Sequence, residues 1–260
     1  MAQATSKDRP IRLSMLAGVA AIALISLGKA LLYKTPHTPG ITYNFPATVP
    51  LPGWQLINAE PLSWKSPSAP STTSQEAAPQ ASEIAVAQTY IFAPVGVQPA
   101  DATRASSSAP LQANTYYIAP ATEGNVNRYV FVYSPLKAAN ANLQERQRAD
   151  IGSYGVLAHE GRAYLTACTS NHGPSTFTEQ QFTRNRSRRD LTVGTIMLWL
   201  AGQRDLLDHR CLWTLLSVPI AGGANASPEN VEQAYQQLET IWVPWHRWWQ
   251  QNFPPLPKPQ

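Results

Sequence analysis

Arg210-Cys-Leu-Trp-Thr-Leu-Leu-Ser-Val218 is the longest of several segments whose side chains follow the two-residue period of a β-strand. Tyr116–Ala119, Arg128–Ser134 and Arg162–Thr169 share that period. In Arg128–Ser134, Tyr129, Phe131 and Tyr133 fall on one face and Val130 and Val132 on the other. Both faces are apolar, which predicts a central strand. Three helices are expected among the strands. Lys137–Arg148 is polar with good helix formers and reads as a surface helix. Asp190 can cap a helix that runs through Leu200 and stops at Gly202; its Ile196-Met-Leu-Trp-Leu200 is apolar all round, so it should be the most buried helix. Ser227 is a natural N-cap, followed by Pro228 at the first helical position and Glu229 and Glu232 near the positive end of the dipole. Val231, Ala234, Tyr235, Leu238, Ile241 and Trp242 then recur at intervals of three and four, and Pro244 should kink or end the helix. Strands and helices in this order imply an α+β domain over residues 115–253, built on a mostly antiparallel sheet packed by helices.

The N-terminal segment decides the compartment. Leu13 to Gly28 holds sixteen consecutive uncharged residues, with Lys7, Arg9 and Arg12 ahead and Lys29 and Lys34 behind. If Lys29 snorkels, Ile11 to Tyr33 is long enough to span a bilayer. The basic flank favours a cytoplasmic N-terminus, so residues 1–34 read as a transmembrane anchor and the bulk of the chain as periplasmic, a single-pass plasma-membrane topology. A cleaved signal peptide is the competing reading, with small residues at Gly28 and Ala30 but an apolar Leu31-Leu32-Tyr33 beyond them.

Charge by region argues against a nucleic-acid partner. Residues 1–34 carry five basic and one acidic side chain, which accounts for the whole formal net charge of +4. The rest is balanced and has no long-range field for phosphate. Residues 35–50 read as a Pro-rich stalk, and 51–64, with Leu51-Pro-Gly-Trp54, as a short docked segment. Residues 65–114 form a Ser/Ala/Pro-rich insertion of the composition that seldom orders itself, apart from a candidate strand at 84–93. A Pro-rich tail occupies 254–260.

Three groups of residues could carry function. Cys168 and Cys211 lie in separate predicted strands, each near a histidine, in Cys168-Thr-Ser-Asn-His172 and His209-Arg210-Cys211. A disulfide in an exported domain, two buried reduced cysteines, and a functional site all fit them. The disulfide would stabilise by roughly 3 to 4 kcal/mol. As a functional site, Cys, His and Arg210 have the residue types of a thiol transpeptidase, and Cys and His those of a zinc site. Neither has specific spacing, so no catalytic residue, metal or cofactor is assigned. Arg184, Arg186, Arg188 and Arg189 form a basic run that reads as a solvated connection or as a contact for anionic lipid or an acidic partner. Four tryptophans crowd Trp242-Val-Pro-Trp245-His-Arg-Trp248-Trp249. Trp242 and Trp245 are in phase with the core face, while Trp248 and Trp249, with Arg247, are candidates for a membrane or partner interface.

Several of these segments resemble one family. Leu51-Pro-Gly-Trp54, Gln181-Phe182-Thr-Arg-Asn185-Arg186, Leu198-Trp199-Leu-Ala-Gly202, Asp208-His-Arg210-Cys211-Leu212-Trp213, Leu238-Glu-Thr-Ile-Trp242 and Phe253-Pro254 are similar to segments of the cyanobacterial cyanoexosortase A system-associated proteins. The likeness spans most of residues 160–256 and a patch at 51–56. It implies a non-enzymatic accessory beside exosortase, the multi-pass transpeptidase that sorts surface proteins bearing a C-terminal recognition helix. Expected partners are therefore the membrane and an exosortase or its sorted substrates. A thiol-dependent envelope enzyme using Cys211 or Cys168, and an envelope- or lipid-binding module, are the alternatives.

Overall fold

A computed structural model of the chain describes residues 43–62, 84–96, 110–119, 122–136, 142–201 and 205–255. The predicted anchor at 11–33 and the C-terminal Pro-rich stretch from 256 lie outside the described residues. The elements run β1 (Trp54–Pro61), β2 (Ile84–Pro94), β3 (Leu111–Ile118), α1 (Val126–Tyr133), β4 (Gln144–Arg148), β5 (Gly152–His159), β6 (Arg162–Thr169), α2 (Glu179–Arg189), α3 (Val193–Leu200), β7 (Cys211–Pro219) and α4 (Pro228–Gln251). Among the described residues no helix is long and apolar enough to cross a membrane.

Strand β7 sits in the middle of a seven-stranded sheet of order β1-β2-β3-β7-β6-β5-β4, antiparallel at every pairing. Its alternation is two-sided. Leu212, Leu216 and Val218 enter a core shared with α4, whereas Cys211, Trp213 and Leu215 enter a second core shared with α1 and α2. β6 follows suit, with Leu165 and Ala167 in the α4 core and Cys168 in the other. Two of the buried indoles find hydroxyl acceptors in the sheet: Trp213 Nε1 donates to Thr166 Oγ1 at 2.8 Å and Trp245 Nε1 to Thr214 Oγ1 at 3.4 Å, whereas the buried Trp242 and Trp249 Nε1 atoms have no partner among the described residues. The result is an α+β fold with helices on both faces of one sheet.

The sheet takes in β1, β2 and Leu111, so the folded unit extends well ahead of residue 115. Leu51 and Val49 are also in the α4 core. The short segment expected to dock at 51–64 contributes Trp54–Pro61 as an edge strand hydrogen-bonded along β2, with a register shift between Leu56 and Asn58. The other edge, β4, is short and charged, Gln-Glu-Arg-Gln-Arg, which discourages pairing with another chain.

Four local expectations are corrected. Val126–Tyr133 is a helix, capped by Asn125, which accepts a hydrogen bond from the Arg128 amide. Val126, Tyr129 and Val130 are its buried residues, a spacing of three and four that the alternating aromatics mask. Residues 144–148, expected to be helical, form β4, where pairing with β5 overrides the local preference. Pro244 does not end α4: the helix continues to Gln251, because burying Trp245, His246 and Trp249 against the sheet outweighs one lost backbone hydrogen bond. The basic run at 184–189 is part of α2, which Thr178 and Gln181 open with a reciprocal capping box.

The largest departure concerns α3. It starts at the Thr192 cap rather than at Asp190, and Thr195 is its single buried residue. Val193 is 80% exposed, Met197 62% and Trp199 46%. An all-apolar sequence reports a preference for apolar surroundings, and this domain does not supply them.

The two ends of the tryptophan cluster should behave differently. Trp249→Ala removes a fully buried ring and should cost about 3–5 kcal/mol in urea unfolding, whereas Trp248→Ala, at a half-buried position, should cost a small fraction of that. Equal losses would contradict the packing described.

Candidate functional site

Two regions gather the residues singled out above. The first is the segment entering β7. Cys168 and Cys211 are joined by a disulfide across β6 and β7, with 5.7 Å between the Cα atoms, and both are fully buried. They are offset along the ladder, since Cys168 faces Trp213 in register. No free thiol remains in the chain.

Arg210, 6% exposed, makes a fork with Asp208: Nε donates to Oδ1 at 2.7 Å and Nη2 to Oδ2 at 2.5 Å. Its Nη1 donates to the Pro254 carbonyl at 2.5 Å, and the guanidinium lies 5.2 Å from the Phe253 ring centroid. Burial works against the charge, but the hydrogen bonds and charge of Asp208 prevail and hold the guanidinium above its ordinary pKa. Arg210 therefore stays ionised and fastens the end of α4 to β7. Beside it, Arg186 donates to His209 Nδ1 while lying over the Phe182 ring. Burial, then the Arg186 charge, lowers the His209 pKa, so the imidazole accepts as a neutral ring. The crevice lined by Arg186, Asp190 and Asp208 encloses about 10 Å³, room for one water at most. His172 is exposed on the turn beyond Cys168. Among the described residues there is no group of three His, Cys, Asp or Glu side chains able to hold a metal ion. The residue types of a thiol catalyst are present here, but each is committed: the sulfurs to each other, Arg210 to Asp208 and Pro254, His209 to Arg186.

The second region is the Trp-rich end of α4. Trp242, Trp245 and Trp249 are fully buried, so Trp249 belongs to the core and not to a candidate interface. Pro244 carries the helix on in phase, so Trp249 follows Trp242 and Trp245 into the core. Trp248 is half-buried, edge-on to Trp249 at 4.8 Å, and Arg247 is exposed. Together with Pro50, Pro52, Trp54 and Pro244 they line an open groove of about 560 Å³. Of the arginines on α2, Arg184, Arg188 and Arg189 are exposed and Arg186 is half-buried.

Protein-family models, curated proteins and solved structures yield no match to this chain. Sequence reading missed the Asp208–Arg210 fork, for which the i, i+2 spacing of opposite charges beside a strand was the available signal, and the α2 cap, for which Thr178-x-x-Gln181 was.

His246 is a buried reporter of this face. It is 2% exposed and shares a hydrogen bond of 3.0 Å with Thr169 Oγ1. Burial, and then the neighbouring Arg247 charge, lowers its pKa from 6.5 to about 4. The unfolded chain takes up this proton at higher pH than the folded one. The contribution of neutral His246 is thus complete above pH 6.5 and is lost as pH falls towards about 4, by roughly 1.4 kcal/mol per pH unit. Urea unfolding between pH 7 and pH 4 should show this slope flattened in His246→Gln; an unchanged slope would exclude it.

Proposed function

We propose that this chain is a membrane-anchored, non-enzymatic accessory of an exosortase-type sorting system, holding or presenting a substrate polypeptide next to the transpeptidase on the outer side of the plasma membrane. The observation that carries this reading is the groove beside α4. Leu51-Pro-Gly-Trp54 and the Trp-rich end after Trp242, two distant stretches that carry the family resemblance, meet in that one groove. An open, Pro- and Trp-lined trough with Arg247 at its rim suits an extended polypeptide, whose apolar side chains can lie on indole rings. The Asp208–Trp213 stretch, another that carries the resemblance, is spent on internal fastening by the disulfide, the Arg210 fork and the Trp213 indole. That use supports a scaffold rather than a catalyst. A structural disulfide is also at home in an oxidising compartment outside the cytoplasm.

Co-purification in mild detergent tests the assignment. An exosortase or a sorted substrate should be enriched with the wild-type chain and reduced with Trp54→Ala/Trp248→Ala; enrichment of neither would remove the reading. The thiol-enzyme rival is separated by serine variants. Cys168→Ser and Cys211→Ser should each lower stability by about 4 kcal/mol, the loop-closure value for a separation of 43 residues, and sorting should fall only in step with protein level. Loss of sorting from one of them at normal protein level would favour the enzyme.

A further inference from the structure

We propose that α3 is a lipid-docking element that seats in the interfacial layer of an anionic bilayer, with the exposed arginines of α2 at the headgroups. It rests neither on the exosortase reading nor on the N-terminal anchor.

Asp190 and Asp208, on either side of α3 in the sequence, are pinned to each other. The Asp208 amide donates to Asp190 Oδ2 at 2.9 Å, and the Thr192 amide donates to the Asp190 carbonyl at 2.8 Å. Thr192 then caps the helix through the Thr195 amide at 3.1 Å. The pinned pair is polar; the helix between them is apolar. Leu191 is 46% exposed, Val193 80%, Ile196 38%, Met197 62%, Leu198 40% and Trp199 46%. Contiguous exposed apolar surface of this kind marks a contact with something outside the domain.

The distribution of that surface selects the occupant. A helix that enters a protein groove shows one apolar stripe, with anchors three and four residues apart, and keeps its other side polar. Ile196 to Trp199 covers every direction around the axis with apolar side chains, and Leu191 to Ala201 contains no charge. Hydrocarbon accepts such a helix on all sides. Trp199 suits the boundary between hydrocarbon and headgroups.

The charges complete the match. Arg184, Arg188 and Arg189 are exposed on the helix that leads into this segment, and the basic last turn of α2 opens directly onto Leu191. The acid that interrupts them, Asp190, is buried and already accepts the Asp208 amide. An apolar tip with a guanidinium collar beside it is complementary to acyl chains beneath anionic headgroups.

The full chain should be reconstituted into nanodiscs of phosphatidylcholine with or without phosphatidylglycerol, using lipids brominated in the acyl chain; if the chain stays in solution, vesicles of the same lipids replace the nanodiscs. The Trp199 contribution is read as the emission difference between wild type and Trp199→Phe. Its loss in brominated membranes containing phosphatidylglycerol is expected. That loss should disappear in Val193→Asp/Met197→Asp and in Arg184→Ala/Arg188→Ala/Arg189→Ala, with unchanged near-ultraviolet circular dichroism showing that these surface variants are folded. No loss of Trp199 emission would overturn the proposal. An equal loss without phosphatidylglycerol, or protection of Trp199 that requires an added membrane protein, would overturn it as well, the latter assigning the helix to a protein partner.

Discussion

The seating of α4 on one sheet face is the constraint from which the rest of the architecture follows. Leu238, Ile241, Trp242, Trp245 and Trp249 lie fully or almost fully buried along it, and Tyr90, Phe92, Tyr117, Leu165, Leu212 and Leu216 receive them from the sheet. Edge-to-face contacts of Trp245 with Tyr90 and Phe92 reach across to β2. At the β4 edge, Arg146 pairs with Glu232 and Glu239 and lies over the Tyr235 ring, so one helix bridges the sheet from β2 to β4. Individually such partly exposed ion pairs contribute little to stability. The opposite face is closed by α1 and α2 over Trp213, whose ring stacks on Tyr116 at 4.3 Å.

Much of this frame is legible in the residue pattern, and the failures have physical causes. Ser227-Pro228-Glu229 and the three-and-four spacing after it locate α4, and the alternation in residues 162–169 and 210–218 locates the two strands beneath it. Val126–Tyr133 misleads because a short run of aromatic and β-branched residues satisfies the strand period as well as the helical one, and its helix exists only through burial against the sheet. Residues 144–148 mislead in the opposite direction, since five polar residues become a strand only by pairing with β5. The alternation at 84–93 does locate β2 within the low-complexity sequence, but not its place in the same sheet as β7. A close approach also hides in a single letter: Gly152 has φ +106°, and a Cβ there would run into the Ser175 carbonyl.

The candidate sites were legible in membership more than in role. Cys168, Cys211 and Arg210 could be picked out by type, but only the folded register separates a cross-strand disulfide from a nucleophile. In the tryptophan cluster, phase with the core face marked Trp242 and Trp245 but did not separate Trp248 from Trp249; because the helix continues past Pro244, Trp249 is core and Trp248 lines a groove. For α3, hydrophobicity pointed to the interior, whereas the helix is exposed. An apolar helix can be destined for an interior or for another medium, and its sequence alone does not distinguish them.

A disulfide and an arginine fork lock this frame, and the proposal of an exported domain requires the two cysteines to be oxidised in the cell. The most direct measurement is the redox state of Cys168 and Cys211 in growing cells, trapped by acid quenching and read by a mass-tagged alkylating agent under denaturing conditions. A chain that takes up the tag only after reduction is the result this account predicts; two thiols tagged without reductant would contradict it.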